Sequence, residues 1–126
     1  NATSRLHVTG KSPDTGIYGD SNAGGAIAAE LKYAGFQHVL ITGKAERPTY
    51  LFINDGQIQF RDASRLWGLD TYETQLRICD ELQDPEVQTA CIGQAGERLV
   101  RFANIRHQMK RSAGRTGRAV LWAPRT

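Results

Sequence analysis

Two cysteines, Cys79 and Cys91, are too few for a disulfide framework, a four-cysteine zinc site or an iron–sulfur cluster. A reduced, cytoplasmic setting is therefore expected. No apolar run approaches the roughly 20 residues that span a bilayer, and no basic stretch leading into an apolar one opens the chain, so neither a membrane span nor a secretion signal is read. Strong charge of one sign is also missing. Lys and Arg total 16 against 13 Asp and Glu, and with 40% hydrophobic residues the composition is globular and excludes disorder of the whole chain. His7, His38 and His107 stand apart without metal-ligand spacing, so structural or surface roles are expected and no zinc site. No Gly-x-Ser-x-Gly elbow surrounds Ser21, for which helix capping is the better role. Asp62, Asp70 and Glu73 are accounted for by turn and cap positions, so no acid–base pair is assigned and the catalytic set is empty.

What is present fits one core of 126 residues. Arg5 to Thr9 alternates like a half-buried strand, and Gly10 to Asp20 reads as a loop. Asp20, Ser21 and Asn22 offer caps for a helix over 24–34, whose Ile27, Leu31 and Ala34 form one stripe and whose end suits Gly35. His38 to Thr42 reads as a strand, followed by Thr49 to Ile53 and Gln57 to Arg61 around the hairpin turn Asn54-Asp-Gly56. Asp70 caps a helix from Thr71 to Leu82, with Glu73 in the capping-box position and a stripe of Tyr72, Leu76, Cys79 and Leu82. Strands are expected over Val87 to Ile92 and Leu99 to Ala103, with a turn between Gly93 and Gly96. Cys79 and Cys91 fall where cysteine acts as a small hydrophobe, and Trp67 and Tyr72 where aromatics serve a core or an interface. The sum is an α+β domain, β-rich, with mostly antiparallel strands and about two helices.

Two segments carry chemistry. Lys11 to Gly25 is a glycine-rich loop that runs into the expected helix start, where unpaired N–H groups would attract an anion such as phosphate; a plain glycine turn with a capped helix is the alternative. Its spacing fits neither the phosphate loop of nucleotide triphosphatases nor a dinucleotide fingerprint. Lys110 to Arg118 sets four cations among small residues, which suits an anion clasp, a solvated basic tail or an RNA-contacting arm. No aromatic is interleaved there, so base stacking is not expected.

The blocks Lys11-Ser-Pro-Asp-Thr-Gly16, Gly19-Asp-Ser-Asn-Ala-Gly-Gly25, Glu30-Leu-Lys-Tyr-Ala-Gly35, Thr42-Gly-Lys-Ala45 and Pro48-Thr-Tyr-Leu51 stand in a distinctive order. They continue with Asp62-Ala-Ser-Arg-Leu-Trp-Gly68, Ile92-Gly-Gln-Ala-Gly-Glu97, Val100-Arg-Phe-Ala103 and Arg111-Ser-Ala-Gly-Arg115. In that order and spacing the chain from Arg5 to Gly117 resembles the N-terminal domain of the aldehyde:ferredoxin oxidoreductase family of tungsten or molybdenum enzymes. The resemblance implies a β-rich base on which a bis-pterin cofactor, a tungstopterin or molybdopterin, lies with its phosphates joined through magnesium. Position by position it implies cofactor contacts at Arg5, Asn22, Gly24, Arg111, Ser112, Gly114 and Arg115, with magnesium on the backbone carbonyls of Asn22 and Ser112. Serine stands at 112 where the family usually has alanine, a change that leaves a carbonyl ligand intact.

The resemblance also sets limits. The family's opening strands and its two later helical domains, which carry the cluster cysteines and most of the substrate cavity, are absent, and the chain opens on Asn1 rather than methionine. A truncated piece of a larger enzyme is therefore expected, with residues 1–117 as a partial domain and 118–126 as a divergent tail. That tail departs from the family's usual glycine-rich continuation, and suitable codons for Trp122 to Thr126 read in a shifted frame give Gly-Ser-Lys-Asn, which is consistent with a frameshift remnant without deciding for one. Alone, the chain is expected to be inactive, to hold no cofactor and no iron–sulfur cluster, and to pair as a homodimer through surface its parent would cover. A separate chain completing the enzyme, a non-catalytic self-associating domain, and a weak anion or nucleic-acid binder are the other partner and function classes weighed.

Overall fold

The chain is described from a computed structural model, which places residues 5–107 and the backbone strand 111–113. It is α+β, as expected, with every strand pair antiparallel. Strands β1 (Arg5–Lys11) and β2 (Tyr18–Gly24) form the first hairpin. The reason is local: Ser12 is buried, its Oγ accepts from the amides of Asp14 and Thr15 at 3.3 Å, and its own amide donates to the Ile17 carbonyl at 2.8 Å. The glycine-rich segment is thus a tight hairpin turn plus a strand. Asp20, Ser21 and Asn22 lie on β2 rather than at a helix start, so the capping expected of them is corrected.

Helix α1 (Ile27–Tyr33) follows, shorter than expected, with Ile27, Leu31 and Ala34 half-buried on its inner side. It ends as expected at Gly35: the Gly35 amide donates to the Lys32 carbonyl and that of Phe36 to Leu31. His38 to Thr42 forms no strand, because a strand exists only through a paired neighbour and none among the described residues bonds to it. Leu40 is 88% exposed there. The next hairpin, β3 (Thr49–Asn54) and β4 (Gln57–Asp62), turns at Asp55 and Gly56 with φ of 45° and 78°, the two positive values that the Asn-Asp-Gly signal requires. Tyr50 ties it to the following helix through the Glu81 carboxylate at 3.3 Å.

Helix α2 (Thr71–Leu82) has the expected bounds, and the Asp70 carboxylate accepts from the Glu73 amide at 2.7 Å. Its buried face is Thr74, Gln75 and Ile78, not the stripe through Tyr72 and Leu76, which are exposed. Polar residues can take the inner face because they bond within the turn: the Thr74 hydroxyl donates to Asp70 O and the Gln75 amide to Thr71 O. Trp67, expected to serve a core or an interface, is 40% exposed, which removes the core half of that expectation.

Two later strands are corrected as well. Only β5 (Ala90–Cys91) survives of Val87 to Ile92, and Gly93 to Ala103 holds a short helix, α3 (Gln94–Glu97), in place of a turn and a strand. Leu99 closes α3 at φ 60° while the Val100 amide reaches back to Ala95 O, which removes the extended run. Pairing passes to β6 (Ile105–His107) and β7 (Arg111–Ala113), so the order β5-β6-β7 includes a strand inside the basic segment Lys110 to Arg118. The core sits between this sheet and the first hairpin: Ala23, Ala103 and Ile105, with Val8, Ala90, Ile92 and Val100 against them.

Two distant sequence blocks meet at Gly68. Its amide donates to both Glu97 oxygens at 2.9 and 3.0 Å, and its carbonyl accepts from the Gln94 side chain at 2.7 Å. Gly68 has φ 85° with nothing within 4 Å of where a Cβ would stand, so only backbone strain opposes a side chain there. Gly68→Ala is expected to cost about 1 kcal/mol, and Gly68→Asn less; equal midpoints in urea for Gly68→Ala and the parent would contradict this.

Candidate functional site

Strand alternation gives the first hairpin two chemically distinct faces. Leu6, Val8, Ser21 and Ala23 turn toward the core, while Arg5, His7, Thr9 and Lys11 share the outer face with Tyr18, Asp20 and Asn22. Register sets Arg5 beside Gly24 and His7 beside Asn22. The Arg5 guanidinium donates through Nη1 to Asn22 Oδ1 at 2.9 Å, a diagonal contact that aims an always-charged group with five N–H donors along this face. Gly24 beside it has no side chain to keep a ligand from the backbone.

Strand β7 lies against β2. Of the residues the family resemblance singles out, Arg5, Asn22 and Gly24 are therefore on one hairpin, and Arg111 and Ser112 are on the strand next to it. In β7 Arg111 pairs with His107 and Ser112 with Arg106. Lys110, Gly114, Arg115, Arg118 and the divergent tail lie outside the described residues. These residues stand on strands, so an anion held on this face would meet the Arg5 guanidinium and strand backbone rather than the helix start anticipated from the glycine pattern. Sequence reasoning ended this strand at Thr9 and gave Lys11 to the glycine-rich loop; continuing the alternation by one period would have set Lys11 on the outer face with Arg5, His7 and Thr9. Among the described residues no group of three or more His, Cys, Asp or Glu could hold a metal ion.

Two titratable groups away from this face, Asp62 and Cys91, have structural partners. Asp62 accepts from the Ser64 hydroxyl at 2.6 Å and the Ser64 amide at 3.2 Å, and those bonds hold its carboxyl below the usual range, with Arg47 and Arg65 adding to the effect. Its turn role is as expected. Both cysteines are free. Cys91 is buried, its Sγ lies 3.8 Å from Thr71 O, and desolvation raises the thiol from 9.0 to about 11, with nearby Arg106 opposing. Because the thiolate is the nucleophile, iodoacetamide at pH 7.5 is expected to label Cys79 and spare Cys91 in the folded protein. The unfolded chain releases this proton near pH 9 and the folded chain near 11, so Cys91 should lower stability as pH rises across that window, by about 2–3 kcal/mol. Rapid labelling of Cys91 at neutral pH, or the same slope in Cys91→Ala, would contradict the assignment.

Comparison with known proteins bears on what this face belongs to. A sequence model of the aldehyde ferredoxin oxidoreductase N-terminal domain matches residues 1–125. A tungsten-containing aldehyde ferredoxin oxidoreductase of Pyrococcus furiosus is 46% identical over 113 residues, which are 90% of this chain and 19% of that protein. An aliphatic sulfonate oxidoreductase, WOR-like subunit, from the same organism is 33% identical over 125 residues, 90% of this chain and 20% of its own length. The chain therefore spans about a fifth of the curated relatives it matches. Among solved structures, the active site complex BamBC of benzoyl coenzyme A reductase with 1,5 dienoyl-CoA superposes with a TM-score of 0.92 at 39% identity, over 95% of this chain and 18% of that one. The match through the whole described fold leaves one conclusion: the chain belongs to the aldehyde ferredoxin oxidoreductase family, through that family's N-terminal domain.

Proposed function

We propose that this domain seats the phosphate-bearing side of a tungsten or molybdenum bis-pterin cofactor, in an enzyme that converts aldehyde to carboxylate and delivers electrons to ferredoxin. The observation that supports the reading is the contact of β7 with β2, which sets the strand bearing Arg111 and Ser112 against the strand bearing Asn22 and Gly24, itself paired with the strand bearing Arg5. The donor set suits phosphate: arginine forks bind its oxygens in pairs, and the glycine admits a ligand close to backbone. Carbonyls of Asn22 and Ser112 would be the residues to hold magnesium, which takes hard oxygen ligands of that kind. When bound, the cofactor supplies the two-electron oxygen transfer; the residues of this chain hold and orient it. Gly114 and Arg115 extend the same reading beyond the described residues. The two free cysteines favour a reducing compartment.

Electron delivery to ferredoxin requires cluster cysteines, and shielding the reacting centre requires a closed cavity, so this chain alone is expected not to oxidise aldehydes. Titration with inorganic pyrophosphate, followed by calorimetry and amide NMR, tests the seat itself. Saturable shifts at Asn22 and Gly24 support it, and no response at millimolar pyrophosphate overturns it. Binding to RNA in place of pyrophosphate, steeply salt-dependent, would instead favour a basic nucleic-acid arm.

A second reading, self-association, has its own observation. Leu40, Phe60 and Phe102 are 88, 77 and 84% exposed, and exposed apolar surface seeks a partner. A dimer is the expected species in light scattering at high micromolar concentration, since isologous pairing is the commonest closure; a monomer there would rule it out. A separate chain carrying the cluster domains would cover the same surface, and co-purification with such a chain in place of a homodimer would assign it so.

A further inference from the structure

His107 is among the most buried residues described, 1% exposed, and the proposed seat makes no direct use of it. Its ring is nonetheless engaged at both nitrogens. Nδ1 lies 2.9 Å from the Thr89 carbonyl, which can only accept, so the proton resides on Nδ1. Nε2 then carries the lone pair, and it accepts from the Ile27 amide at 3.4 Å, eighty positions away in sequence. That amide is one of the orphan donors at the start of α1, where Ala26 at the N-cap offers no side-chain acceptor. The cap that the sequence suggested from Asp20, Ser21 or Asn22 is thus supplied across the fold. His107 also lies in the middle strand of its sheet, paired with Ala90 on one side and Arg111 on the other.

We propose that His107 is a positioning residue: its imidazole locks the β2–α1 junction, Gly24 to Ile27, onto the β5-β6-β7 sheet and so sets where Asn22 and Gly24 stand relative to Arg111 and Ser112. The two bonds leave by different nitrogens toward different elements, so the ring acts as a strut between them. A packing role alone would need neither bond, and an apolar ring in its place would strand a buried carbonyl and a helix-start amide. The geometric part stands independently, while its consequence for ligand rests on the proposed phosphate seat.

The substitutions that separate these roles are His107→Asn and His107→Gln. Asparagine retains a donor near the Nδ1 position, and glutamine an acceptor near Nε2. Imidazole nitrogen shifts in the parent should report the Nδ1–H tautomer. In His107→Asn the Ile27 amide should exchange faster and the Gly24 and Gly25 amides should shift, with pyrophosphate affinity down roughly threefold to tenfold, the effect of one lost hydrogen bond. His107→Gln should restore Ile27 protection and most of the affinity. Unmoved Gly24 to Ile27 amides in His107→Asn overturn the proposal, as does unchanged affinity in a variant whose Gly24 amide has moved. If the parent protein shows no response to pyrophosphate, the phosphate reading fails and the amide measurements decide the role of His107 by themselves.

Discussion

Ile105→Ala is expected to lower the unfolding free energy by about 3 kcal/mol, within the 2–5 range seen when a fully buried isoleucine is truncated. Ile105 is 1% exposed and is the largest apolar side chain in a cluster whose other buried members are Ala23 and Ala103. Small neighbours matter here. Val8, Ala90, Ile92 and Val100 pack against this cluster from three segments, so the cavity could be closed only by moving a hairpin, a sheet and a turn together. Since domains hold only about 5–15 kcal/mol in total, the loss should be visible as a large fall in the urea midpoint with little change in slope. Ile105→Val should cost about 1 kcal/mol. By contrast, Phe60→Ala removes a larger side chain that is 77% exposed and should change little in a monomer. An Ile105→Ala protein as stable as the parent would mean that the core lies elsewhere.

Ile105 also shows where sequence reading reaches its limit. The run Leu99 to Ala103 has strand-like composition, yet Leu99 adopts a left-handed conformation to close α3, and pairing begins only at Ile105. Nothing local distinguishes these, since both stretches are short and the choice depends on which one reaches Ala90 and Cys91. Local chemistry was legible where it is self-contained. The Asp70 cap, the Asn54-Asp-Gly56 turn and the Gly35 helix stop depend on residues a few positions apart, and all three stand as read. Elements defined by a distant partner were not: His38 to Thr42 lacks one among the described residues, and β7 finds one in β6. The inner face of α2 misled for a further reason. Thr74 and Gln75 satisfy their polar atoms within the helix, so polarity did not mark the exposed side.

The candidate site was legible by another route. Composition pointed to an anion and located it at a helix start, but the segment from Lys11 to Gly24 folds as a hairpin and the helix begins beyond it. Of the residues named from the family pattern, Arg5, Asn22, Gly24, Arg111 and Ser112 are on described strands that neighbour one another. Register places Arg5 beside Gly24, and β7 lies against β2, so a pattern scattered from position 5 to position 112 collapses onto neighbouring strands. The helix start inferred from the glycines was misplaced, because glycine serves a hairpin strand and a phosphate loop equally well.

Arg111→Ala is expected to weaken pyrophosphate binding by tenfold or more, since a hydrogen bond to a charged group contributes about 1.5–3 kcal/mol. The expectation follows from position and charge: Arg111 is on the strand next to Asn22 and Gly24, and a guanidinium offers paired donors to one phosphate. Lysine in its place should recover only part, because a point charge lacks the fork. Arg5→Ala should cost a comparable amount and add a second effect, release of the Asn22 side chain it holds at 2.9 Å. If both arginines grip the same anion, the double variant should lose less than the two single losses combined, and the coupling measures their shared ligand. Salt supplies an independent check. A site made of two cations should show affinity falling with ionic strength in the parent and falling less steeply in each variant. Equal affinity and equal salt dependence in the parent, Arg111→Ala and Arg5→Ala would place the anion elsewhere on the protein and remove the basis for seating the cofactor on this face.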